Sequence, residues 1–122
     1  MAASPSNALI AETLALITGD TPHLALYTSN PTAADTGTEV SGGSYARQAV
    51  TFGSVTSGTV SNITQIVFAG MPGTTVTHWG IKDAATAGNL KAFGAFTTPL
   101  VMQAGDDITI PVGDLDISFS GS

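Results

Sequence analysis

The first 18 residues have the apolar spacing of a helix. Four large side chains recur at intervals of about three to four residues and form one stripe: Leu9, Ile10, Leu14 and Ile17. Ser4 can cap the segment, Pro5 suits the first helical position, and Gly19 can end it. We therefore predict a helix over residues 4–18. Its other side is barely polar, so Leu16 becomes a candidate contact with another chain.

From His23 onward, short alternating segments replace the helical pattern. The clearest is at the end of the chain, where Leu115, Ile117 and Phe119 alternate with polar residues. Turn residues recur about every 8–12 residues, which predicts an all-β fold. We expect an antiparallel sandwich or flattened barrel of about seven to eight short strands with one N-terminal helix. The β-core covers 23–119, and the whole chain, 1–122, forms one domain.

The positions of the predicted strands follow from the turn residues between them. The segments are 23–28, 39–40, 45–52, 59–69, 75–82, 90–97, 100–103, 107–112 and 115–119. Pro111 cannot donate a ladder hydrogen bond, so its strand is expected at an edge or at a bulge.

The run from Glu39 to Phe52 contains one of only three basic residues, Arg47. A turn at Gly42–Gly43 predicts a hairpin, and pairing of Val40 with Tyr45 would bring Glu39 diagonally close to Arg47. The guanidinium then has two possible roles. It forms a local surface ion pair, or it binds a carboxylate or carbonyl groups of a neighbouring subunit.

The composition favours a protein that is covered by neighbours. Charged residues make up 10% of the chain, and apolar residues make up 43%. A surface with so few charges suits assembly, although a neutral β-domain rich in hydroxyl groups is the alternative. The net charge of −6 argues against nucleic acid and anionic membranes as partners. We expect no signal peptide, and the absence of cysteine excludes thiolate chemistry.

The sequence offers few candidates for catalysis or for cofactors. Four carboxylates near the end raise the hypothesis of a calcium site: Asp106, Asp107, Asp114 and Asp116. They straddle a strand, whereas calcium usually needs a loop that curls around the ion, so we expect them on the solvated face of a terminal hairpin instead. His23 and His78 lack a nucleophile motif or metal spacing, so we expect no enzyme and no cofactor, with a small hydrolase as the remote alternative. Asn62-Ile63-Thr64 matches the glycosylation pattern by chance.

Trp79 allows two interpretations. It packs in the core against Phe68, Phe93 or Phe96, or it stands exposed and stacks on a sugar. Together with Arg47, several residues form the set of candidate assembly contacts, and these are Glu39, Tyr45, Leu16 and Trp79.

Seven segments of the chain carry a resemblance to known proteins: 24–31, 39–52, 77–81, 83–90, 93–99, 107–111 and 113–115. Together they resemble a widespread family of small tailed-phage proteins that are commonly described as phage tail fibre proteins. The resemblance spans residues 8–119 and implies a structural protein of the virion, made in the bacterial cytoplasm, without catalytic residues. The chain differs from the family pattern in a shorter segment between the helix and His23.

Two locations in the virion fit this resemblance. The sequence lacks the heptads or repeated β-motifs of a fibre shaft, so we expect a decoration protein that cements the outside of the head. Its partners would be the major capsid protein and two further copies of itself in a trimer. The alternative is a tail-tip or fibre-associated domain that contacts tail proteins and binds the host receptor.

Overall fold

The computed structural model describes residues 6–18 and 22–118 of the chain. That part of the chain contains one helix and eight strands. They are α1 (Asn7–Thr18), β1 (His23–Tyr27), β2 (Gln48–Ala49), β3 (Thr59–Ser61), β4 (Ile66–Phe68), β5 (Thr74–Lys82), β6 (Leu90–Met102), β7 (Ile108–Ile110) and β8 (Asp116–Ser118). All pairings between these strands are antiparallel, which confirms the predicted all-β class with an N-terminal helix.

Helix α1 begins with a cap from Ser6. Its Oγ accepts a hydrogen bond of 3.2 Å from the backbone N–H of Leu9, which satisfies one of the free amides at the helix start. The predicted caps Ser4, Pro5 and Gly19 lie outside the described residues. Within the predicted stripe, Ile10 and Leu14 are buried in the core, whereas the side chain of Leu9 is 50% exposed.

The main sheet has four strands in the order β2-β1-β5-β6. Strand β1 lies inside it and is buried on both faces, because Leu24 and Leu26 face one side while Ala25 and Tyr27 face the other. A strand with two buried faces needs cover on both sides of the sheet. The core covers one face, and hydrogen-bonded polar side chains that include Glu39 and Arg47 cover the other.

The predicted hairpin around Gly42–Gly43 was wrong as a strand pairing. Glu39 is instead bridged to Tyr27, and Gln48 pairs with Leu24, so both arms of the turn lie along the same edge of β1. The turn itself is present, with positive φ angles of 102° and 55° at its two glycines. It docks on Gly70, whose carbonyl accepts a hydrogen bond of 2.8 Å from the N–H of Ser44.

The long strand predicted over 59–69 is interrupted at Asn62. Strand β3 pairs with β8, and β4 pairs with β7, so the chain changes partners between them. Asn62 is 1% exposed and lies where the chain leaves the first ladder for the second. Its Nδ2 donates to the carbonyls of Thr64 and Pro111 at 2.8 and 3.0 Å, and its Oδ1 accepts from the N–H of Leu115 at 3.0 Å. A buried amide with these partners is structural, and this burial removes Asn62 as a glycan acceptor.

Strand β6 is continuous where the sequence predicted two pieces. Its register with β5 jumps from His78↔Ala95 to Val76↔Leu100, so extra residues bulge from the ladder between them. Pro99 lies in this bulge, where its missing N–H costs no hydrogen bond of the ladder. Strand β7 ends at Ile110, directly before Pro111, so the proline lies outside the strand rather than at an edge or a bulge within it.

One cluster of buried apolar side chains joins the helix, the main sheet and both short ladders. Its members are Ile10, Leu14, Leu24, Leu26, Val40, Val50, Val60, Ile66, Phe68, Met71, Val76, Ile81, Ile108, Leu115 and Ile117. The sheets of the described part of the chain form no closed barrel, so the flattened-barrel alternative was wrong.

We predict that Asn62→Asp lowers the free energy of unfolding by about 2–4 kcal/mol. A carboxylate there cannot donate, and it would face two carbonyl oxygens in a buried position. Urea unfolding measures the effect. Gln65→Glu makes the same amide-to-acid change at an exposed residue and should stay close to wild type. Equal midpoints for the two variants would contradict the structural role of Asn62.

Candidate functional site

Three of the predicted assembly residues meet on the face of the main sheet that bears Tyr27. Glu39 is held there by its bridge to Tyr27, and Tyr45 and Arg47 follow the Gly42–Gly43 turn. The Nε and one terminal nitrogen of Arg47 donate to the two carboxylate oxygens of Glu39, at 2.9 and 2.8 Å. The hydroxyl of Tyr45 donates to the same carboxylate at 2.7 Å. The arrangement is a two-pronged ion pair, which fixes the geometry of both side chains.

The other terminal nitrogen of Arg47 holds a distant loop. It donates to the carbonyls of Ala84 and Ala87 at 3.1 and 2.6 Å. The same loop is closed by Asp83, whose Oδ1 accepts from the N–H of Asn89 at 2.7 Å. That backbone hydrogen bond lowers the pKa of Asp83 below its ordinary value. Arg47 therefore binds carbonyls of its own chain, whereas the sequence hypothesis placed such carbonyls on a neighbouring subunit.

A second ion pair extends the network. Lys82 is 6% exposed, and its Nζ donates to Asp35 in the loop that follows β1. The hydroxyl of Tyr27 donates to the other oxygen of Asp35 at 3.2 Å. Two of the three basic residues of the chain, Arg47 and Lys82, thus neutralise carboxylates beneath these loops. We call the group formed by Tyr27, Asp35, Glu39, Tyr45, Arg47 and Lys82 the polar network.

The proton affinities of the network follow from burial and charge. Burial raises the pKa of Glu39, but hydrogen bonds from Arg47 and Tyr45 outweigh it and hold the pKa below its ordinary 4.5. The bonds to Glu39 raise the pKa of Arg47. Burial raises the pKa of Tyr27 and of Tyr45 far above the ordinary value, and the nearby carboxylates add to this shift. Glu39 and Arg47 therefore keep their charges, and the two phenols stay neutral, across the physiological range.

Tyr45 connects the network to the core and to the edge of β1. Its hydroxyl accepts a hydrogen bond of 2.9 Å from the N–H of Leu26, in the gap between the two segments that pair with β1. Its ring stacks on Phe68, with centroids 5.9 Å apart and an angle of 7°. The remaining two candidate contacts lie elsewhere. Leu16 is 71% exposed on the helix, and Trp79 lies on the opposite face of the main sheet, because it pairs with Leu26.

Trp79 packs at the border of the core and is only partly buried. Its indole lies against Gly94 on the neighbouring strand, where a Cβ would stand 2.7 Å from the ring. Beside it opens a cleft of about 310 Å³ between the main sheet and the loop from β7 to β8. The lining residues are Leu24, Trp79, Ala95, Phe96, Thr97, Ile110, Asp114, Leu115 and Asp116. We call this the Trp79 cleft.

The four carboxylates considered for calcium lie in different surroundings and do not share a site. Asp106 accepts from the N–H of Gln103 at 2.9 Å, and Asp107 accepts from the N–H of Gly70 at 3.0 Å. Asp116 accepts from the hydroxyl of Ser61, and Asp114 borders the Trp79 cleft. Within residues 6–18 and 22–118, no three acidic or histidine side chains are grouped as metal ligands.

The two histidines do not come together. His23 stands opposite Lys82 at one end of the β1–β5 ladder, and His78 stands opposite Tyr27 at the other. His78 shares a hydrogen bond of 2.8 Å with the hydroxyl of Thr77. This separation excludes a site that would use both imidazoles.

Sequence reasoning missed three members of the polar network, Tyr27, Asp35 and Lys82. No local signal marked them, because lysine is rarely buried and the strand that ends at Lys82 has no regular alternation of buried and exposed residues. Its carboxylate partner is 47 positions away, and no local pattern predicts that distance.

The fold and its two sites define a small β-rich module with a partly buried, ion-paired network and a surface cleft. The chain belongs to the family described as podophage GP4 fiber I protein gp80, which matches residues 3–118. This is a family of phage fibre proteins, so the chain is a component of a virion. No curated protein matches the chain. None of the described helices has the length and apolar character needed to cross a membrane.

We predict that Glu39 makes the fold sensitive to acid. Because its pKa in the folded state lies below 4.5, its contribution is complete above about pH 4.5 and is lost as the pH falls through the folded-state pKa. Glu39→Gln should unfold more easily at neutral pH, by about 2–3 kcal/mol, since it leaves Arg47 without its ion-pair partner. It should also lose less stability than the wild type on acidification.

Thermal unfolding at a series of pH values measures this difference. Glu12→Gln is the matched control, because it removes the same charge from an exposed position on the helix. A Glu39→Gln curve parallel to that of the wild type would contradict the assignment.

We predict that Gly94→Ala displaces the indole of Trp79. The added methyl group would overlap the ring and should lower stability by about 1–3 kcal/mol. The chain has one tryptophan, so its fluorescence spectrum reports on this site directly. Gly73→Ala is the control, since the nearest atom to its Cβ would be 3.7 Å away. An unchanged spectrum for Gly94→Ala would contradict the close approach.

Proposed function

We propose that this protein is a non-enzymatic structural component of a podophage tail fibre and contributes to contact with the host cell. The observation that carries the proposal is the family match over residues 3–118, which covers nearly the whole chain and names a fibre protein. The expectation of a head decoration protein gains no support from that match. The alternative, a tail-tip or fibre-associated domain that binds the host receptor, fits the family better.

The proposed role is that of a domain carried by a fibre. A shaft requires heptads or repeated β-motifs, whereas the buried apolar residues of this chain gather in one cluster. Large apolar side chains are exposed on the helix and on β6, including Leu9, Leu16 and Val101. They support self-association, and we propose a homotrimer that attaches to other tail proteins.

Charge limits the other partners. The net charge of −6 and the two basic side chains already bound in the polar network argue against binding to phosphate groups of nucleic acid or anionic lipid. We also propose that the protein needs no cofactor, because each carboxylate once considered for calcium has its own surroundings.

We expect gold-labelled antibodies against this chain to mark the tails of intact virions. Labelling viewed by electron microscopy, with an antibody against the major capsid protein as the control, distinguishes the two locations. Label distributed over the head would overturn the fibre proposal and restore the decoration hypothesis. Light scattering on the purified protein tests the trimer separately, and a monomeric mass at high concentration would contradict it.

A further inference from the structure

The Trp79 cleft combines an aromatic surface with unused polar groups. Its volume of about 310 Å³ is at the lower end of the range of small-molecule sites, about 300–1,000 Å³. Trp79 and Phe96 line it from β5 and β6, and the acidic residues Asp114 and Asp116 also border it. The cleft has room for one or two sugar rings.

The indole N–H of Trp79 has no acceptor within residues 6–18 and 22–118, and it is not closed off from solvent. Buried indole nitrogens usually find a partner, so an accessible donor beside a cleft can serve a ligand. The carboxylate of Asp114 likewise has no hydrogen-bond partner in the described part of the chain. Asp116 is bound to Ser61 through one oxygen, which leaves the other available.

From these groups we infer that the Trp79 cleft binds a neutral saccharide. The apolar face of a sugar ring would pack on the indole of Trp79, while its hydroxyl groups donate to Asp114 and Asp116. The indole N–H would donate to a ring or hydroxyl oxygen of the sugar. Two carboxylates in a chain with a net charge of −6 repel anions, so sialic and uronic acids are excluded as ligands.

The cleft next to Arg47 is a weaker candidate for the same role. It has about 450 Å³, but the donors of Arg47 that point to its walls are already bound to Glu39, Ala84 and Ala87. A ligand there would have to break a partly buried ion pair, which is unfavourable. Free hydrogen-bonding groups and an aromatic surface coincide at the Trp79 cleft instead.

The biological setting of this inference rests on the proposed function, because a fibre domain that contacts the host meets surface polysaccharide. The binding itself can be tested apart from the virion. Since the chain has one tryptophan, a ¹⁵N-labelled sample gives one indole N–H resonance, which reports on the cleft.

The experiment titrates the purified chain with methyl glycosides of glucose, galactose and N-acetylglucosamine, and with glucuronic acid and N-acetylneuraminic acid. We expect at least one neutral glycoside to shift the indole resonance, with a dissociation constant on the order of 1 mM. The two acids should leave it unchanged. Absence of a shift with every neutral glycoside, or equal shifts with the acids, would overturn the inference.

Variants then locate the site by saturation-transfer signals on the bound sugar. Asp114→Ala should weaken binding about tenfold, and Trp79→Phe should weaken it at least as much. Glu12→Ala is the control, because it removes the same charge from an exposed helix residue outside the cleft. Unchanged binding in Asp114→Ala would overturn the location even if Trp79→Phe failed to fold. Tail labelling without sugar binding would refute this inference alone, whereas sugar binding with label on the head would refute only the fibre proposal.

Discussion

The ion pair between Arg47 and Glu39 is the contact on which one face of the main sheet depends. Strand β1 is buried on both sides, yet apolar residues of the core cover only one of them. On the other side, Arg47 joins the bridge at Glu39 to the loop at Ala84 and Ala87. Removal of either charge would leave the other poorly solvated beneath these loops. The ion pair and the loops that it holds therefore depend on each other.

The two faces of the main sheet therefore differ in what they can offer a partner. On the face of Tyr27, the polar network uses its donors and acceptors internally, which fixes loops but leaves little for a ligand. On the face of Trp79, a donor and a carboxylate stay open beside an aromatic surface. A saturated network on one side provides the rigidity that a weak binding site on the other side needs.

Sequence reasoning predicted the class of fold and some contacts, but not how they arise. It anticipated that Glu39 and Arg47 meet, yet it derived this from a hairpin that does not form, since both arms pair with β1 instead. Alternation predicted most strands, because it depends only on neighbouring residues. The change of partner at Asn62 involves residues about 50 positions away, and no local pattern encodes such pairings. The Trp79 cleft could not be predicted for the same reason, because its lining residues are far apart in the sequence, although Trp79 itself was a candidate.

The exchange of partners at Asn62 has a consequence for synthesis on the ribosome. Strands β3 and β4 are synthesised before their partners, which are β8 and β7. Thr59, for example, can pair only after Ser118 has been made. During that interval, the apolar side chains of Ile66 and Phe68 have no ladder to cover them. Nascent chains in this state are prone to associate with one another, and they are natural clients for the chaperones of the infected cell.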